Sequence, residues 1–352
     1  SNNTAIGYEA LTASDGTGQN LALGFYTLRN LVKGGSTTAL GNYAGYYATG
    51  SYNTLIGHEA GKGGTTSAPY SSGELNTAVG YQALTGFTTA QRMVSIGYES
   101  MHNVTTGQDS VAIGYQAAYH NSGSYNVTIG MGAGMTSGAG YNVSVGYYAL
   151  NAVGSDSNVA VGYSAMRYLP AGSQNVAIGN TAGSYLLGSY ATVVGSQAGR
   201  FSSGSNNTFM GYKAGYGSLT SAPYSSGTDN VAMGYEALAN FTTGYANVAL
   251  GYKALSELRT STYSVAIGAH AGDHASGSNN TFVGGQAGFG GTTSAPFSSG
   301  ASNVGIGYYA LRNFTTGYSN TVAGVNAGDA ITSGHENAIF GQGAGGSLTD
   351  GH

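Results

Sequence analysis

Asn175-Val176-Ala177-Ile178-Gly179 is the stretch whose reading decides the fold. Variants of it recur twenty times along the 352 residues. They are anchored on Gly7, Gly24, Gly41, Gly57, Gly80, Gly97, Gly114, Gly130, Gly146, Gly162, Gly179, Gly195, Gly211, Gly234, Gly251, Gly268, Gly284, Gly307, Gly324 and Gly341. Successive anchors stand 16 or 17 residues apart, with three intervals of 23. So short a period, held from end to end, predicts an all-β parallel solenoid (a β-roll) of about twenty rungs rather than a globular core. The repeat is unbroken, so residues 1–352 read as one continuous solenoid domain. At ~4.8 Å per rung the predicted rod is roughly 95 Å long.

Numbered from the anchor glycine, the columns have distinct chemistry. Position −4 is Asn in fifteen rungs, the others being Thr37, Met93, Ser110, Ala191 and Ser264. Position −3 is mostly Val or Thr, −2 mostly small, and −1 almost always Ile, Leu, Val or Met. This alternation predicts a strand of about four residues with −3 and −1 on one face, and the larger aliphatics place that face inward. The Asn column predicts a corner that tolerates left-handed backbone, and stacked in register it forms an amide ladder. Position +1 is Tyr in ten rungs and +2 is a mixed polar column, read as facing solvent. Position +3 is Ala in eighteen rungs, a regularity that predicts close approach of another layer or chain. Position +4 divides between Gly and a larger residue, and eight of the nine rungs with Leu or Met there are followed by a 17-residue interval. That correlation predicts two corner types, one with an extra residue where a large side chain tucks inward.

Composition narrows the function. Charged residues are 7% and the net charge is −4, which gives no electrostatic case for nucleic acid. There is no cysteine, so disulfides and thiolate metal sites are excluded. No 18-residue apolar run occurs, so this segment is not expected to insert in a membrane. The chain opens in mid-repeat and reads as a piece of something longer. A single 16-residue coil has about two short strands and two turns, and little interior to set against its backbone entropy. Three coils packed around an axis cover the remaining apolar columns, which predicts a homotrimer.

Val111-Ala112-Ile113-Gly114, Val176-Ala177-Ile178-Gly179 and Val265-Ala266-Ile267-Gly268 resemble the head repeats of trimeric autotransporter adhesins, the YadA-type head. The resemblance implies a left-handed parallel β-roll and a trimer. The rungs here are two or three residues longer than that family's usual repeat. Asn3-Thr4-Ala5-Ile6-Gly7-Tyr8-Glu9-Ala10-Leu11 is more similar to the repetitive shafts of phage tail fibres. Together the resemblances imply an extracellular segment, on a virion tail or a bacterial cell surface, with a host-cell glycan or protein receptor as partner.

The three long intervals carry one insert, at Thr66–Gly73, Thr220–Gly227 and Thr293–Gly300, holding three of the four prolines. Proline cannot continue a ladder, so each insert is expected to leave the rung as a loop. Tyr70, Tyr224 and Phe297 are the candidate receptor-binding residues, weighed against packing back onto the roll. His270 and His274, with Asp273 between them, read as a chance pairing rather than a metal site. Gly341, Gly343 and Gly345 lack the strand-then-helix context of a phosphate loop. No catalytic residue, metal or cofactor is expected. Two further classes remain: a tailspike-like polysaccharide-degrading enzyme, and an ice-binding solenoid. The second needs a flat Thr array, and only Thr4, Thr38, Thr54, Thr77, Thr192, Thr208, Thr281 and Thr321 occupy −3, a column expected to face inward.

Overall fold

The computed structural model describes every residue except 1, 17, 66–69, 137, 170, 223, 294–296 and 352. The described residues contain strands and turns and no helix. The chain divides into two compact units, residues 1–173 and 174–352. Each is a parallel β-solenoid of ten rungs, with strands running from Thr4–Ile6 to Val159–Val161 in the first unit and from Val176–Ile178 to Ala338–Phe340 in the second. Neighbouring rungs pair column on column, so that Val94, Ser95 and Ile96 lie against Val111, Ala112 and Ile113. Each of these strands has three residues, one fewer than expected. The rest of the rung is turn, with one further short parallel pair, Ala152–Val153 with Tyr168–Leu169.

The strand presents its faces the other way round from the sequence expectation. Position −2 is buried, as at Ala78, Ala112, Ala177 and Ala266. Positions −3 and −1 point outward, with Ile113 37%, Ile178 42% and Ile267 40% exposed. The reason is volume. The bore is already occupied by the side chains at −4, +3, +4 and +7. In the rung anchored on Gly80 these are Asn76, Ala83, Leu84 and Phe87, all buried. Two further columns of β-branched residues have no room inside a coil of 16 or 17 residues, whereas one methyl group at −2 fits. The +3 alanines, Ala44 to Ala327 in the middle rungs, are likewise buried within their own rung. Their near-invariance reflects the tight bore, and no second chain is needed to explain it.

Positions −2 and +4 share one space. All nine rungs with Leu or Met at +4 have Ala, Ser or Gly at −2, as in Leu238 with Ala232 and Leu311 with Gly305. All six rungs with Leu, Val, Ile or Phe at −2 have Gly at +4. The +4 side chain does tuck inward: Leu84, Leu238, Leu255 and Leu311 are fully buried. Where −2 is large, the ring or branch takes that place. A Cβ on Gly288 would stand 2.2 Å from Phe282, and one on Gly61 2.4 Å from Leu55. Where both positions are small, the space is filled from neighbouring rungs, as at Gly272, where a Cβ would meet Leu255 at 2.7 Å and Phe282 at 3.0 Å, or from the same rung, as at Gly183, where it would meet Leu186 at 3.4 Å. Each fully buried Leu or Phe contributes about 1.5–3 kcal/mol by leaving water.

The anchor glycine is a backbone necessity. Its φ lies near +130°, as at Gly57 (+132°), and a Cβ there would be 2.4 Å from the carbonyl oxygen of Gly80 in the next rung. Three other columns, −5, +2 and +4, adopt left-handed backbone with ordinary side chains. Gln82 and Leu84 have φ 52° and Arg92 has φ 53°. A left-handed residue with a Cβ costs roughly 1–2 kcal/mol. Each of these three has its N–H bonded to another rung: Gln82 to the His58 carbonyl (2.9 Å), Leu84 to that of Ser100 (2.9 Å), and Arg92 to that of Glu74 (3.0 Å). The inter-rung ladder thus imposes the strained turn.

The −4 asparagines form the expected ladder. The Asn76 backbone N–H donates to Asn53 Oδ1 (2.9 Å), and Asn76 Oδ1 accepts from the Met93 N–H (3.0 Å). Its Nδ2 donates to the Ala90 carbonyl at the corner (2.9 Å). The same pattern joins Asn207, Asn230 and Asn247 in the second unit. These amides are buried yet satisfied, as buried polar groups must be. The left-handed residue at the corner is −5, immediately before the asparagine, rather than the asparagine itself.

Candidate receptor-binding surface

With −2 inside, each unit carries adjacent apolar columns at −3, −1 and +1 on its outside. The +1 rings stack from rung to rung. His58, Tyr81, Tyr98 and Tyr115 have centroid separations of 5.2, 5.0 and 5.2 Å, with neighbouring planes within 11° of parallel. Tyr212, Tyr235 and Tyr252 repeat this in the second unit at 5.2 and 5.3 Å. The rings remain substantially exposed, Tyr115 by 44%. Crowding strips water from the Tyr98 phenol, and the Glu99 charge adds to this, raising its pKa above the usual phenol value. For Tyr235 the Glu236 charge is the larger cause of the same upward shift.

The +2 column, expected to face solvent, is half-buried and internally paired. Glu59 accepts from Gln82 Nε2 (2.6 Å) and from Lys62 Nζ (2.7 Å). Glu99 accepts from Gln116 (2.7 Å), Arg29 bonds Glu9 (2.6 Å), and Lys253 lies 3.5 Å from Glu236. Burial alone raises the Glu59 pKa, but the bonds from Lys62 and Gln82 outweigh it and hold the carboxyl below its ordinary value.

All three inserts rejoin the ladder in the same way. Ser71, Ser225 and Ser298 each return a carbonyl to the preceding rung, at the N–H of Thr49, Ser203 and Ser276, with all three bonds 2.7 Å long. Each serine oxygen also accepts a bond from six residues earlier: from Thr65 (3.1 Å), Leu219 (3.5 Å) and Thr292 (3.2 Å). This pinches the loop neck closed. Pro69, Pro223 and Pro296, on which the loop expectation rested, lie outside the described residues.

The three candidate aromatics are half-buried. Each lies over the +6 residue of the preceding rung: Tyr70 over Tyr47 (5.8 Å), Tyr224 over Phe201 (6.0 Å), and Phe297 over His274 (5.8 Å). They therefore pack back onto their own unit, leaving part of each ring exposed. Phe297 differs from the other two in its surroundings. The Arg259 guanidinium stands 5.9 Å from its ring, and both line a cavity of about 380 Å³ with Ser276, Thr292, Thr315 and Thr316. The sequence carries a signal for Arg259, which is the only basic residue at +8 in twenty rungs.

His270 and His274 do not converge. His270 Nδ1 is 2.7 Å from Asp273 Oδ2, whereas the His274 ring packs on Phe289 at 4.6 Å. Asp273 also accepts from the Ser256 hydroxyl. That serine is bonded to the carboxylate rather than to the imidazole, so the three do not form a nucleophile–base relay. Asp109 is paired with Arg92 at 2.6 Å, and Asp156 accepts from the Gly140 N–H at 2.8 Å. Among the described residues, no three His, Asp or Glu side chains gather at a metal-binding distance. No family model matches the chain, and no curated protein or solved structure matches it.

Proposed function

We propose that this chain is a structural and adhesive segment of an extracellular fibre, assembled as a homotrimer and presenting a receptor-binding surface on a phage tail or a bacterial cell. The observation that carries the reading is the outward turn of the −3, −1 and +1 columns. Each unit exposes a continuous run of Val, Ile, Leu, Met and Tyr that soluble monomers rarely leave in water. Copies of the same chain match this surface rung for rung, since the period is common to all. The local resemblance of the Val-Ala-Ile-Gly phrases to adhesin heads and fibre shafts supports the same assembly, and the low charge suits a surface stabilised by ladders rather than ion pairs.

The test is saturable binding of the purified, labelled protein to intact bacterial cells, competed by unlabelled protein. Release of reducing ends from capsular or cell-wall polysaccharide would instead establish the tailspike-like enzyme. One observation favours the ice-binding alternative more than the sequence did: the −3 threonines face outward. Their longest unbroken run is Thr38, Thr54 and Thr77, and exposed Tyr rings flank much of the column, so the flat Thr array is short. Thermal hysteresis in the purified protein would support that alternative, and its absence removes it.

A further inference from the structure

The third insert is built differently from the other two at one point. Half a rung on from the strand, position +8 supplies Arg259, Ser276, Thr292 and Thr315 to the cavity beside Phe297. For Tyr70 the +8 residues of the three neighbouring rungs are Val32, Thr49 and Thr88; for Tyr224 they are Leu187, Ser203 and Thr242; for Phe297 they are Arg259, Ser276 and Thr315. Only the third set contains a charge.

That charge is uncommitted. Arg29 and Arg92 are tied to Glu9 and Asp109, but among the described residues no carboxylate lies within ion-pair distance of Arg259. Its side chain is exposed, while its backbone is fixed. The Arg259 carbonyl accepts from the N–H groups of Thr242 (2.8 Å), Thr243 (3.2 Å) and Gly244 (3.0 Å). The remaining walls are also held. Thr315 Oγ1 donates to the Thr332 carbonyl (3.0 Å), and Ser276 Oγ donates to the Ser298 carbonyl (3.2 Å). The hydroxyls of Ser299 and Thr316 line the same cavity and form no hydrogen bond among the described residues. A guanidinium, an apolar ring face and free hydroxyls around about 380 Å³ suit a sugar ring carrying a carboxylate. The ring's C–H face would lie on Phe297, the carboxylate would take a charge-assisted bond from Arg259, and ring hydroxyls would exchange bonds with Ser299 and Thr316.

We propose that the cavity formed by Arg259, Phe297, Ser299 and Thr316 is a binding site for an acidic saccharide, and that the first two inserts lack this specificity. The proposal rests on the receptor-binding reading and deepens it. Methyl glucuronide and methyl glucoside differ only by a carboxylate in place of a hydroxymethyl group, so saturation-transfer NMR titration of the pair isolates the contribution of Arg259. The expected result is binding of the glucuronide roughly tenfold tighter than the glucoside. Arg259→Gln should abolish that preference, Phe297→Ala should weaken both ligands, and Tyr70→Ala and Tyr224→Ala should change neither. Arg259 is exposed, and an unchanged circular dichroism spectrum will show that its variant folds. Equal binding of the two glycosides, no binding of either, or a preference that survives Arg259→Gln overturns the proposal. Cell binding by the same samples is read separately, so loss of the fibre reading and loss of this site give different results.

Discussion

Phe209 and Gly215 occupy one space: the nearest ring carbons of Phe209 stand 2.4 Å from where a Cβ on Gly215 would be. The pair is one case of an exchange that runs through both units, a large −2 with Gly at +4 or a large +4 with a small −2. Gly215→Leu alone is expected to destabilise the fold by about 1–3 kcal/mol or more through overpacking. Phe209→Ala alone should cost about 3–5 kcal/mol through the cavity it leaves. The double variant Phe209→Ala/Gly215→Leu recreates the Ala232/Leu238 arrangement of the next rung and should recover most of both losses. Denaturant unfolding of the three variants measures this coupling directly.

The amide ladder makes a second quantitative statement. Asn230 Oδ1 accepts from both the backbone N–H and Nδ2 of Asn247 (3.0 Å each), and Asn230 Nδ2 donates to the Gly244 carbonyl (2.9 Å). Asn230→Ala leaves a buried N–H and a buried C=O without partners and is expected to cost about 2 kcal/mol or more. Asn230→Ala/Asn247→Ala should cost less than the sum of the single changes, because the two share bonds. Additive losses in thermal unfolding would show that the rungs are not coupled through this column.

Thr181 is a β-branched residue held at φ 49°, and its Oγ1 has no hydrogen-bond partner among the described residues. Left-handed backbone is least tolerable for such a side chain. Thr181→Gly is therefore expected to stabilise the protein by about 1 kcal/mol. The neighbouring Ala182→Gly should destabilise it by a similar amount. A fall in the thermal midpoint for Thr181→Gly would refute the assigned backbone.

Stability should fall on both the alkaline and the acid side of neutral pH. The phenols of Tyr98, Tyr147 and Tyr235 have folded pKa values above the unfolded one. Their contribution is complete below the ordinary phenol value of about 10 and is lost as pH rises through the raised values. Glu59 and Asp109 have lowered values. Asp109 owes this first to its hydrogen bond from Arg92, and the contribution of both carboxylates is lost as pH falls through those lowered values. A thermal midpoint that is level from about pH 5 to pH 9 and drops beyond about pH 10, together with delayed appearance of phenolate absorbance, is the expected profile.

Much of the fold is legible in the sequence, because the anchor glycine and the Asn column each serve a single backbone purpose that no other residue serves as well. The period of the alternation shows that −3 and −1 share a face. It does not show which face is inside, because that is decided by the width of the bore rather than by hydrophobicity. Ala177 enters and Ile178 does not. The reciprocal volumes at −2 and +4, visible in fifteen of the twenty rungs as Ala232 with Leu238 or Phe209 with Gly215, carry the missing information, since only residues sharing an interior need compensate each other. The candidate site was legible only in part. Phe297 is marked by its insert, whereas its coupling to Arg259, two rungs earlier in sequence, follows from rung stacking.

The outward −1 column gives the most direct test of the assembly. Sedimentation equilibrium should give the wild-type protein three times its chain mass of 35.3 kDa. Ile113→Asp/Ile129→Asp, which places charge on two adjacent outer positions without touching the bore, should remain folded and sediment at the single-chain mass. A wild-type protein that is a stable monomer, or a variant that keeps the trimeric mass, would contradict the account.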